Sequence, residues 1–169
     1  MPIYEEWCMA SKADHIEVIA RGVWIQNGSV LFCRNVQKGY LYLPGGHVDP
    51  GEAAADALAR EFIEETGVHV AIGGLLAVAE VRFAAGKREH HEVNLVFHVE
   101  HGPGGPPPLV RSLEPDIAFE WVKVGELGGR DVRPGALKRW LLGRLEHPAR
   151  AAHPASAAGE RIDWLSAPE

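Results

Sequence analysis

The sequence predicts an α+β fold, one mixed β-sheet with a helix at about residues 52–66 and a second at about 134–145. Two observations carry that expectation. Runs rich in β-branched and aromatic residues, His15–Ile25, Val93–Glu100 and Ile117–Val124, read as strands. Between Glu52 and Thr66 the apolar residues Ala55, Leu58, Ala59, Phe62 and Thr66 recur at helical spacing, one turn after another. Strands therefore flank a central helix, and the second helix comes late in the chain.

Taken in order, residues 1–14 have mixed composition and read as an N-terminal arm. His15–Ile25 is the first strand, and Asn27-Gly28 is a strong hairpin signal that returns the chain through Ser29–Arg34. Tyr40–Leu43 is a short strand running into the turn Pro44-Gly45-Gly46. After the helix, Gly67 is placed to end it in a left-handed conformation. Val68–Phe83 reads as a strand, or a strand pair bent at Gly73-Gly74, Lys87–Glu92 as a turn, and His101–Pro108 as a proline- and glycine-rich loop. Pro134 is suited to the start of the second helix. The Ala-, Pro- and Ser-rich stretch from residue 148 to 169 reads as a C-terminal tail that is either flexible or packed on the surface, with Ile162, Trp164 and Leu165 as a docking point, which leaves a main domain at 15–147.

The 169 residues suffice for one domain with a sizeable core. A formal net charge of −6 argues against a nucleic-acid backbone as partner, though not against a small phosphorylated ligand whose charge a metal offsets. The two cysteines, Cys8 and Cys33, form no C-x-x-C pair, so neither a disulfide framework nor a zinc knuckle is expected. No stretch has the roughly 20 apolar residues that span a bilayer, and the first residues do not read as a signal peptide. A cytoplasmic protein is expected.

The chemistry concentrates between Gly46 and Val68. Carboxylates stand at Asp49, Glu52, Asp56, Glu61, Glu64 and Glu65, and Arg60 is the one Lys or Arg among them. On a helix Glu61, Glu64 and Glu65 share one face, away from the stripe through Leu58 and Phe62. Such a cluster repels itself unless it holds a cation. Its hard oxygen ligands suit Mg2+ or Mn2+, and a carbonyl of the Gly45-Gly46 turn could be a further ligand. An acidic, merely solvated helix face is the alternative reading.

The stretch resembles the Nudix box, G-x5-E-x7-R-E-U-x-E-E-x-G-U with U a bulky residue. Gly46, Glu52, Arg60, Glu61, Glu64, Glu65 and Gly67 fill its fixed positions in register, and Phe62 and Val68 its bulky ones. The resemblance implies the Nudix fold, an α/β/α sandwich. It also implies metal-dependent hydrolysis of a pyrophosphate bond in a nucleoside diphosphate linked to another moiety. On that reading Glu61, Glu64 and Glu65, with Gly46, bind the metal; Glu52 supports them; and Arg60 orients a carboxylate. Since the general base varies within the family, Glu61, Glu64 and the later Glu114 are catalytic candidates, with Glu120 and Glu92 as competitors for the last role. Some Nudix enzymes are dimers, so a homodimer is compatible with the resemblance.

Substrate identity stays open. The proline or tyrosine that marks some Nudix subfamilies would fall near Phe83–Gly86, and neither is there. A nucleoside di- or triphosphate is the first choice, with ADP-ribose and nucleotide sugars behind it. Tyr42, Phe83 and Arg82 are the residues expected to contact substrate; Trp24, Tyr40 and Trp121 are further aromatic candidates. Two other classes compete: a non-catalytic nucleotide sensor on the same fold, against which the intact carboxylate set argues, and an allylic-diphosphate isomerase, for which Cys8 and Cys33 offer no match.

Overall fold

Strand β1 (Glu17–Gln26) turns at Asn27-Gly28 into β2 (Ser29–Asn35). Both turn residues have positive φ, 50° and 71°, the signature of a type I′ turn whose twist suits a tight hairpin. This computed structural model describes residues 15–85, 88–102, 109–145 and 162–168. The expected arm at 1–14, most of the proline-rich loop (103–108) and the segment 146–161 lie outside the described residues.

The remaining elements are β3 (Leu41–Tyr42), α1 (Ala54–Thr66), β4 (Val70–Ala85), β5 (Arg88–His101), β6 (Ile117–Lys123), a 3₁₀ helix (Val124–Gly129), α2 (Gly135–Leu145) and β7 (Asp163–Pro168). The strands form one mixed sheet in the order β3-β2-β1-β5-β4-β7, with β6 on β2. The pairs β1–β5 and β4–β7 are parallel, whereas the pairs joining β1, β3 and β6 to β2, and β4 to β5, are antiparallel.

Side chains alternate across β1 as a strand requires. Ala20 and Trp24 pack with Ala57, Leu58 and Phe62 of α1. Val23 points the other way, into a cluster with Phe32, Val81, Val96 and Leu137 and Leu141 of α2. Each face of the sheet thus carries a helix, giving the expected three layers. Removing a side chain such as Phe62, 1% exposed, would cost about 3–5 kcal/mol.

Three local expectations are corrected, and the packed form of the tail is made specific. Helix α1 starts at Ala54 rather than Glu52, because Gly51 (φ 86°) still turns the chain and the Glu52 side chain is drawn to Arg60. Its buried stripe runs through Ala57, Leu58, Phe62 and Thr66, with Ala57 replacing Ala55 and Ala59. Residues 88–92, expected as a turn, extend β5, since His90 and His91 find carboxylate partners in Glu17 and Glu80. The end of the chain adds strand β7 beside β4, tied to α2 by a 2.8 Å bond from Trp140 Nε1 to Asp163 Oδ2, while Trp164 stays 64% exposed. β4 itself continues through Gly73-Gly74 with irregular register between Ile72 and Ala77. The helix ends as expected: Gly67 is left-handed (φ 71°) and donates to Ile63 O at 2.8 Å. Among the described residues, no helix is long and apolar enough to cross a membrane.

Candidate active site

The glycine turn is laid along β1 like an extra strand. Gly22 N donates to Pro44 O, Ala20 N to Gly46 O, and Val48 N to Val18 O, all at 2.8–2.9 Å. At Gly45 the φ of 124° suits only glycine, and a Cβ there would lie 2.0 Å from Ala20 O. Gly46 is required for a different reason. A Cβ on it would lie 2.4 Å from Glu61 Cδ and 2.6 Å from both carboxylate oxygens, so the absent side chain makes room for Glu61 against the turn. Arg21, from the middle of β1, fastens the turn by donating to Gly45 O at 2.9 Å and Leu43 O at 3.3 Å.

Arg60 gathers the acidic residues. Its Nε and Nη2 bind both oxygens of Glu52 at 2.9 and 3.0 Å. Its Nη1 reaches one oxygen of Glu61 at 2.9 Å and one of Glu64 at 3.1 Å, and Nη2 also reaches His47 O at 3.1 Å. These pairs are half-exposed, and solvent screening keeps each of them to about 1 kcal/mol, so the network matters for placement more than for stability. These bonds raise the Arg60 pKa above its already high ordinary value, through Glu52 first and then Glu61. Arg60 in turn holds the Glu52 carboxyl below its usual range.

Glu65 is different. It takes no hydrogen bond or ion pair on its carboxylate among the described residues. Burial, then the negative charges of Glu61 and Glu114, push its pKa up to about 8, with Arg21 opposing. Burial, with Glu65 and Glu114 adding, likewise raises the Cys33 thiol, which makes it a poor nucleophile.

Does this set suit a divalent cation? Among the described residues no three His, Cys, Asp or Glu side chains already converge as a finished metal site. The donor chemistry nevertheless fits. Arg60 takes only Oε1 of Glu61 and only Oε2 of Glu64, so each keeps a free oxygen to set beside the half-buried, repelled carboxyl of Glu65. A hard dication would relieve that repulsion. Glu52, with both oxygens engaged, offers none so readily.

A cavity of about 740 Å³ is lined in part by Arg21, Lys38, Tyr40, Tyr42, Phe83, Glu92 and Arg133. Arg21 and Tyr42 connect the two regions, since each interacts electrostatically with Glu65. Volumes of about 300–1,000 Å³ are usual for small-molecule sites.

The NUDIX domain model matches residues 17–141, from β1 into α2. The chain belongs to the NUDIX family. A Bacillus subtilis (strain 168) protein named "Putative 8-oxo-dGTP diphosphatase" is 53% identical over 36 residues, 21% of this chain and 24% of that protein. The chain thus aligns with about a quarter of that relative's length. Among solved structures, the MutT NUDIX hydrolase of Burkholderia pseudomallei is 28% identical, with a TM-score of 0.55 over 66% of this chain and 86% of that one. The MutT protein of Methanosarcina mazei Go1 is 22% identical, with a TM-score of 0.61 over 82% and 99% of the two chains, and shows the shared fold. Nudix hydrolases in general depend on divalent metal.

The residues picked out by the Nudix box are brought together: Gly46, Glu52, Arg60, Glu61, Glu64 and Glu65 occupy one patch where the turn meets α1. Glu114 joins them across the chain. Leu113 N donates to Glu65 O at 2.7 Å, and the Glu114 charge is felt at Glu65. Glu120 is engaged elsewhere, by Arg130 and Arg34. Tyr42 and Phe83 line the cavity, as does Tyr40, but Arg82 does not. One residue along β4 from Phe83, it points to the opposite face of the sheet. Trp24 and Trp121 pack against each other at 5.5 Å, with Trp24 3% exposed in the core. Sequence reasoning missed Arg21, Asn94, Lys38 and Arg133. Arg21 left a signal: it is a cation on the same face of the strand as the apolar Ile19 and Val23.

Proposed function

We propose that this chain hydrolyses a phosphoanhydride bond in a nucleoside diphosphate linked to another moiety, with a nucleoside di- or triphosphate as first choice and ADP-ribose or a nucleotide sugar as the alternative. The observation that carries this reading is the half-buried Glu65 carboxyl, flanked by half-engaged Glu61 and Glu64 and linked through Arg21 and Tyr42 to a cavity of nucleotide size. Glu61, Glu64 and Glu65, with the Gly46 carbonyl, would hold Mg2+, and Mn2+ has the same ligand preferences. When bound, such an ion lowers the pKa of water and neutralises charge on phosphoryl oxygens.

The chain's own groups divide the remaining work. Arg60 and Glu52 keep Glu61 and Glu64 in place, and Gly46 lets Glu61 approach the turn. Glu114 is the best-placed general base, because its carboxylate has no partner among the described residues, whereas Glu120 is held by two arginines. Tyr40, Tyr42 and Phe83 offer aromatic faces to a base. Lys38 and Arg133 offer positive charge to phosphates, although Arg133 also pairs with Asp131 at 2.9 Å.

The test is phosphate and pyrophosphate release from a panel of nucleoside di- and triphosphates, ADP-ribose and nucleotide sugars with Mg2+. Glu64→Gln should lower the rate of the best substrate by at least ~10²-fold. Release from no member of the panel would overturn the proposal.

A further inference from the structure

One wall of the cavity carries an acceptor that the hydrolytic machinery does not use. Glu92, near the start of β5, lines the cavity, and its Oε2 accepts from Asn94 Nδ2 at 3.1 Å. Asn94 is fully buried, and its own oxygen accepts from Arg21 Nε at 3.2 Å. Arg21 is in turn fixed by the carbonyls of Leu43 and Gly45. The Glu92 carboxylate is therefore aimed by a relay that begins at the glycine turn.

The neighbouring carboxylates are already taken. Glu17, which stands beside Glu92 in the β1–β5 register, is bonded to His47 at 3.2 Å and His90 at 3.0 Å. Asp131, also in the lining, pairs with Arg133. Glu92 makes no ion pair among the described residues. An ionised carboxylate only accepts hydrogen bonds, and a negative wall repels phosphates. Its wall of the cavity therefore suits a part of the substrate that donates hydrogen bonds rather than a phosphate.

We infer that Glu92 reads the base of the substrate and selects guanine, whose N1–H and 2-amino group present two adjacent donors to one carboxylate. Adenine and cytosine set one amino donor beside a ring-nitrogen acceptor, and uracil and thymine flank one N–H with two carbonyls. In each of those an acceptor faces the second carboxylate oxygen and is repelled. Phe83, stacked on His90 with ring centroids 5.0 Å apart, and Tyr42 supply flat faces in the same cavity. This selection rests on the proposed nucleotide hydrolysis, but it can fail while that reading stands.

The experiment is calorimetric titration of the Mg2+-loaded protein with GMP, IMP, AMP, CMP and UMP, for the parent and Glu92→Gln. IMP lacks only the 2-amino group, so the GMP-to-IMP ratio in the parent tests the paired contact without any substitution. GMP should bind roughly 10-fold or more tighter than IMP and UMP, as a two-bond contact implies. In Glu92→Gln that preference should shrink to within about 3-fold, with UMP affinity and thermal unfolding unchanged. Equal parent affinities, or a preference that survives Glu92→Gln, would overturn the inference. Should hydrolysis of the nucleotide panel then proceed without regard to base, the inference alone has failed; should no panel member be cleaved, the underlying reading has failed too.

Discussion

Two adjacent glycines, Gly45 and Gly46, should respond to alanine in opposite ways. The atoms nearest to a Cβ on Gly46 all belong to the Glu61 carboxyl, 2.4 Å away at Cδ. Restoring the 3.4 Å of ordinary contact moves that carboxyl back by about 1 Å, which pulls on its bond to Arg60. Displacements of about 1 Å at a reacting centre cost ~10²-fold in rate, roughly 2.7 kcal/mol of barrier at 1.36 kcal/mol per tenfold. Gly46→Ala should therefore lose about 10²-fold in kcat/KM while keeping most of its stability, because the obstructed group is a partly exposed side chain. Gly45→Ala puts a side chain at φ 124° and 2.0 Å from Ala20 O, a backbone atom. Such strain costs about 1–3 kcal/mol, so its Tm should fall by several degrees, at ~2–4 °C per kcal/mol for this size of domain. The assay pairs Mg2+-dependent release of phosphate or pyrophosphate with thermal unfolding of each variant. Gly46→Ala within about 3-fold of the parent, or unfolding as readily as Gly45→Ala, would refute the account of Glu61 placement.

Other outcomes follow from the same geometry. Glu65, with its pKa raised from 4.5 to about 8, binds a proton on folding; the stability it contributes is complete below 4.5 and is lost as pH rises toward 8. Metal-free protein should thus lose Tm between pH 5 and 8, and Glu65→Gln should flatten that slope in a melt series without metal. Mg2+ should raise the parent Tm at pH 8 by binding the ionised carboxyl, with a smaller rise in Glu65→Gln. Arg60→Lys, which keeps the charge but loses the fork that holds Glu52, Glu61 and Glu64 together, should lower kcat about 10-fold or more in steady-state assays, because one ammonium cannot replace those paired bonds. Arg21→Ala should impair the turn and the cavity together, raising KM as well as lowering kcat, whereas Arg34→Ala, whose partner is Glu120 at 3.7 Å, should leave both unchanged.

Local signals in the sequence were the dependable ones. Asn27-Gly28 forms its turn and Gly67 its left-handed cap because each depends on the backbone freedom of a residue or two. The acidic patch was legible for a similar reason: Arg60, Glu61, Glu64 and Glu65 are neighbours on one helix, so spacing alone places them. The misses are long-range. β7 pairs with β4, whose partner residues lie more than eighty positions earlier in the chain, and no property of Asp163–Pro168 itself demands that pairing. Residues 88–92 look like a polar turn, but their histidines are satisfied by Glu17 and Glu80 on neighbouring strands. Arg21 joins the glycine turn to Asn94, 73 positions away, a link that residue type alone could suggest only as an oddly placed cation.

The most direct measurement is hydrolysis rate against Mg2+ concentration, for the parent and for Glu65→Gln, on the best nucleotide of the panel. The parent should saturate with Mg2+ and fall to background in EDTA, while the variant should run at least ~10²-fold slower. Parent activity that survives EDTA, or a Glu65→Gln curve that overlays the parent's, would contradict the assignment of this carboxylate patch as the metal-dependent hydrolytic site.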